Sequence, residues 1–188
     1  VDRIRDGKSF TTRRVNAIQN GEAIFSCSIS FQKREKGLTH QIKMPKIQGP
    51  ENLKSDLELR KDLQSKIPKD YLPMWLRERE IETRQVEPVD LLKAEKLPPY
   101  RSTWMKPTGR LPTDERIHQA LLLYVSDMGL LGAAVNPHEV NFMSKKFQSA
   151  SLDHVMWFHG KVNFNNWILH HMHSPISQNA RGFSRGSI

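Results

Sequence analysis

The residues predict an α+β fold in which antiparallel sheet curves around a helix, and three features carry that expectation. Two alternating stretches meet at Asn20-Gly21, a capped apolar helix follows Thr113-Asp114, and three more extended stretches come after that helix. With 188 residues there is enough chain for one domain or two small ones with a real core.

The first element is a hairpin of Ser9 to Gln19 and Glu22 to Gln32. Asn-Gly supplies the positive backbone dihedrals of a two-residue turn whose twist matches the flanking strands. Ala23, Phe25, Cys27, Ile29 and Phe31 alternate as an inward set, joined across the turn by Val15 and Ala17. Cys27 is thereby a core residue rather than a nucleophile. As the single cysteine it forms no intrachain disulfide and fits a reducing compartment. Two strands alone are not stable, so others must pair with them.

Gly37 to Leu97 reads as an irregular linker with one or two short helices, broken at Gln48-Gly49-Pro50 and by prolines from Pro68 onward. Leu53 to Leu63 has helical spacing, and Tyr100 to Met105 is a strand ending in the Lys106-Pro107-Thr108-Gly109 turn. The principal helix then begins at a Thr113 or Asp114 cap, with acidic Asp114 and Glu115 at its positive end. Ile117, Ala120, Leu121, Tyr124, Asp127 and Met128 recur at spacings of three and four and define its expected inward face. Gly129 allows a turn.

Asp127 thus closes an apolar stripe at a helix C-terminus, where the dipole gives an anion no help. It either faces solvent as the helix ends or is held by a nearby donor. Behind it, Ser149 to His159 alternates as a strand. Ser151, Asp153, Trp157 and His159 take one face, and Leu152, His154, Met156 and Phe158 take the other. Polar groups among large apolar ones suit sheet beside a working cavity, while an ordinary strand with two satisfied histidines is the plainer reading. Further strands are expected from about Trp167 to His173 and from Arg181 to Ile188.

The net charge of +9 arises mostly in the first two thirds. From Leu121 onward the basic residues are Lys145, Lys146, Lys161, Arg181 and Arg185, against Asp127, Glu139 and Asp153. A positive field attracts nucleic acid, anionic membrane or phosphate-bearing small ligands alike. No phosphate loop, zinc-finger spacing or dense Lys/Arg run supports nucleic acid, and no 18-residue apolar stretch predicts a membrane span. His170, His171 and His173 first suggest a metal site. On a strand, however, His170 points away from the other two, and no HExxH or cysteine pair completes a set. Ser151 does not sit in a GxSxG turn. A carboxylate such as Asp127 and a hydroxyl such as Ser151 could instead orient a hydrolytic water.

These residues also carry a resemblance. Arg5 to Phe10, Arg13 to Val15, Ile18 to Phe25, Ser30 to Gln32, His118-Gln119, Tyr124 to Asp127, Ser151 to His159 and Ala180 to Phe183 occur in this order. Together the stretches resemble type II acyl-CoA thioesterases of the TesB-like, double-hotdog family. The likeness runs over nearly the whole chain and is loose between 33 and 112.

The resemblance implies hydrolysis of fatty acyl-CoA to fatty acid and coenzyme A, with no cofactor. It implies a water-orienting Asp, Ser/Thr and Gln, of which Asp127 and Ser151 match the first two. The Gln belongs to a Gln-Glu-Gly segment that residues 1–188 do not include, and Gln148 and Gln178 do not match it. Residues 1–36 are expected to be the C-terminal part of a first hotdog and 37–97 a linker with short helices. Residues 98–188 would be a second hotdog without its last strands. A chain truncated at both ends is expected to be weakly active or inactive. The alternative is a catalytically silent acyl-CoA-binding or assembly fragment.

The resemblance further implies CoA phosphates meeting some of the positive field, with Arg181 and Arg185 as candidates. It implies association into a homo-oligomer through the hotdog sheets, and a location in either peroxisome or cytoplasm. Residues around Tyr124, Met128 and Leu130 line an acyl channel or belong to the core.

Overall fold

The computed structural model describes residues 1–90, 92–140 and 147–188. Leu91 of the expected linker, and Lys145 and Lys146, lie outside the described residues. The chain divides into two compact units, Val1–Pro45 and Lys46–Ile188.

The first unit is a three-stranded antiparallel sheet in the order β1 (Asp2–Asp6), β2 (Phe10–Gln19), β3 (Glu22–Gln32). The hairpin turns at Asn20 and Gly21 with φ of 50° and 85°, the backbone that Asn-Gly tolerates at least cost. Val15 lies opposite Cys27 and Ala17 opposite Phe25, with a bulge between Ala17 and Ile18. The expected inward set is not buried: Phe25 is 58% exposed, Phe31 52%, and Cys27 only half-buried. Alternation correctly sorts side chains into faces, but burial requires a covering layer, which a three-stranded sheet does not provide for itself.

The second unit begins with α1 (Asp56–Asp62). Ser55 Oγ accepts from the Glu58 amide at 3.2 Å while the Glu58 carboxylate accepts from the Ser55 amide at 2.7 Å, a reciprocal cap. Buried Arg60 pairs with Asp56 at 3.0 Å and donates to the carbonyls of Trp75 and Arg77, tying α1 to the segment leaving α2 (Leu72–Trp75). Residues expected as linker also supply β4 (Ile81–Gln85), which pairs along its length with β5 (Tyr100–Pro107). Five residues carrying Glu82 and Arg84 give little hydrophobic signal, so the strand is visible only through its partner.

The sheet continues antiparallel through β6 (Ile168–Gln178) and β7 (Arg181–Ser187), which meet at Asn179 and Ala180, both at positive φ. Pairing of Thr83 with Met105, Met105 with Ile168, Thr103 with His170 and Met172 with Gly186 places these residues on one face. That face receives α3 (Glu115–Ser126) and α4 (Leu130–Val135). Ile81, Met105, Leu122, Val125 and Phe164 form the core, with Met128, Met156 and Ile168 packed against it.

Two expectations change here. The buried residues of α3 are His118, Leu122, Val125 and Ser126, whereas Ile117 and Tyr124 are exposed. Ala120 to Val125 is apolar all the way round, so spacing alone could not choose which face turns inward. Residues 147–159 form no strand: their backbone joins none of the ladders β4 to β7 among the described residues. A period of two records extended backbone, while a strand also needs an edge to pair with. Here the segment is held by side chains instead, among them Met156 against the core and His154 against α3.

By length and composition, Glu115–Val135 could cross a membrane. The chain breaks at Gly129, with φ of 92°, into α3 and α4, and Leu122, Val125, Ala133 and Val135 are buried in this unit. It is a core element of the fold.

Candidate active site

The helix α3 is fixed at its start by Asp114. Its carboxylate accepts from the Arg116 amide at 3.0 Å and from the Arg116 guanidinium at 2.6 Å. Those bonds hold the Asp114 pKa down at about 2. One turn in, buried His118 meets Pro112 O through Nε2 at 2.9 Å and receives the Phe164 amide at Nδ1, 3.1 Å. Both ring nitrogens are committed, and this histidine serves structure.

The other end of α3 carries the candidate chemistry. Asp127 is the cap residue, in αR conformation, with its side chain 59% exposed. The preceding Ser126 is buried and donates its hydroxyl proton to Leu123 O at 2.7 Å. Leu123 is among the last four residues of the helix, whose carbonyls lack the usual intrahelical partner, so the serine satisfies one of them. Ser126 Oγ also lies 2.8 Å from His154 Nε2. The opposite nitrogen, Nδ1, faces Asp127 Oδ1 at 3.9 Å.

Sequence reasoning singled out Asp127 and Ser151. The two share no hydrogen bond, and Ser151 is exposed on the extended segment. The residue brought to Asp127 is His154, one of the two histidines of the extended segment. A signal for it was present: a histidine sharing a face with Met156, opposite a helix end whose carboxylate the dipole disfavours.

Beneath this cluster, His170 of β6 is 2% exposed and fits against Gly186, where any side chain would collide with its ring. Burial, reinforced by the neighbouring imidazoles of His154 and His171, lowers its pKa to about 4. His171 points to the other side and meets Ser102 Oγ at 3.0 Å. The histidines therefore divide between the sheet faces. Among the described residues, no three potential ligands converge as a metal site.

A family model described as "Acyl-CoA thioesterase" matches residues 75–188, which include the whole of this cluster. The chain belongs to the acyl-CoA thioesterase family. It is 33% identical over 188 residues to acyl-CoA thioesterase 2 of Haemophilus influenzae, all of this chain matching 66% of that one. It is 36% identical over 200 residues to acyl-coenzyme A thioesterase 8 of Mus musculus, matching 61% of its length.

The solved structure of an acyl-CoA thioesterase II from Mycobacterium marinum superposes with a TM-score of 0.73 at 32% identity. The match covers 98% of this chain and 64% of that one. The fold is the α+β hotdog of these thioesterases. The chain spans just under two thirds of the relatives it matches.

Proposed function

We propose that this chain hydrolyses fatty acyl-CoA to a free fatty acid and coenzyme A by direct attack of water, with Asp127 and Ser151 as its catalytic residues. The carrying observation is the open carboxylate of Asp127 at the end of α3, inside the segment matched by the thioesterase family. Asp127 accepts a hydrogen bond from the water, and the Ser151 hydroxyl fixes it further. Attack on the thioester carbonyl places negative charge on oxygen, which nearby donors stabilise until the C–S bond breaks.

Exposed Leu123 and Tyr124, beside Asp127, offer apolar surface to an acyl chain. Met128 packs on the core. Arg181 and Arg185 are exposed and suit the CoA phosphates, and Arg185 also stacks on Phe183 at 5.2 Å. The reading includes a homo-oligomer formed through the sheets, and a location in cytoplasm or peroxisome, as the bacterial and mammalian relatives allow.

A second reading, a catalytically silent acyl-CoA binder, is favoured by exposed Ser151 sharing no hydrogen bond with Asp127. Thiol release from decanoyl-CoA, followed with a thiol-reactive dye, separates the two. Release above the buffer rate that falls in Ser151→Ala supports hydrolysis. Binding of decanoyl-CoA without release supports the silent binder.

A further inference from the structure

We propose that His154 is a catalytic residue of this site: it takes the proton from the attacking water, and Asp127 stabilises the imidazolium that forms. The proposal rests on the hydrolysis reading above and identifies the base within it.

The hydrogen-bond pattern determines the tautomer. Ser126 has one hydroxyl proton, and the 2.7 Å contact to Leu123 O requires it. Ser126 Oγ is then an acceptor toward His154 Nε2 at 2.8 Å, so Nε2 carries the ring proton. In the neutral ring, Nδ1 is left as a bare lone pair, and Asp127 Oδ1 lies 3.9 Å from it. Two acceptors at that separation cannot bond to each other. A water placed about 2.8 Å from each can donate one hydrogen to Nδ1 and the other to the carboxylate, with an angle of about 90° at its oxygen. Its lone pairs then point outward, available to a carbonyl carbon.

The same geometry assigns the proton. Imidazole is intrinsically the stronger base of the two acceptors. A proton arriving at Nδ1 creates an imidazolium beside the Asp127 carboxylate, so charge is stabilised as it forms. The water oxygen bonds to the thioester carbon while its proton passes to Nδ1. Collapse of the tetrahedral intermediate breaks the C–S bond, and the imidazolium returns the proton to the departing thiolate. Acyl-CoA and water thus become fatty acid and thiol, with no other reactant.

Among the described residues, His154 has Asp127 at 3.9 Å from the end of α3 and interacts electrostatically with His170 of β6. His170, held down at about pH 4, is neutral wherever the assay runs near neutrality. The His154 side chain is 27% exposed, so water and small bases reach it.

The test compares wild-type chain, His154→Gln and His154→Ala in decanoyl-CoA hydrolysis. Gln can keep the donor to Ser126 but cannot take the proton. The expected result is a fall in kcat of about 100-fold or more in His154→Gln, with KM within about threefold. The acid limb of the wild-type pH–rate profile should disappear in that variant, and added imidazole should restore part of the rate of His154→Ala. A wild-type chain that releases thiol while His154→Gln does so equally fast overturns this proposal and leaves hydrolysis standing. A wild-type chain with no release overturns both. Independently of rate, nitrogen-15 spectra showing the neutral His154 proton on Nδ1 would overturn the proposal.

Discussion

The two units follow the same local rules to different ends. In residues 1–45 the alternation is regular and the Asn20-Gly21 turn well formed, yet no residue is buried. In residues 46–188 short helices and turns alternate with longer elements, but Met105, Val125, Phe164 and Met172 are almost wholly removed from water. Regular pairing and a packed core are therefore separate achievements. The candidate site lies in the second unit, where a helix end is held over a sheet by buried groups.

The widest separation between the units should come from truncating their aromatics. Phe164→Ala leaves a hole where the ring is 0% exposed and should cost about 3–5 kcal/mol in a denaturant titration. Phe25→Ala in β3 should cost under about 1 kcal/mol, because that ring is already mostly in water. Equal costs would mean that the first sheet is covered in solution.

Next in size is an acid effect. The unfolded His170 imidazole protonates near pH 6.5, while the folded one resists until about 4. The stabilisation is complete above about pH 6.5 and is lost as pH falls toward 4, amounting to roughly 3 kcal/mol. Denaturation curves across that window should flatten in His170→Leu relative to wild type.

Smaller effects test the local devices. Ser55→Ala removes the side-chain half of the reciprocal cap of α1, leaving the Glu58 amide without its Oγ acceptor, and should cost about 1 kcal/mol, measured by thermal unfolding. Gly21→Ala forces a side chain to φ of 85° with no clash around it, so a cost near 1 kcal/mol would be backbone strain alone.

The hairpin was legible from its alternation and Asn-Gly turn, α3 from its cap and apolar spacing, and β5 to β7 from the turns that bound them. The strand β4 was not, because Ile81 to Gln85 is short and charged. The inward face of α3 was ambiguous wherever apolar residues ring the helix. The segment 147–159 shows how far a pattern reaches: of the expected face, Met156 packs on the core and His154 bonds Ser126, while Leu152 and Phe158 are exposed. The pattern could not tell whether a ladder partner exists. Asp127 was readable as an oddly placed acid, but its nearness to His154 depends on a contact across 27 residues of chain that no spacing encodes.

The most direct measurement is thiol release from decanoyl-CoA by wild-type chain and by Asp127→Asn, with folding of both checked by circular dichroism. The account expects the amide, which cannot stabilise a neighbouring positive charge, to lower kcat by about 100-fold or more while the fold is unchanged. Release at the wild-type rate from a folded Asp127→Asn protein would contradict it.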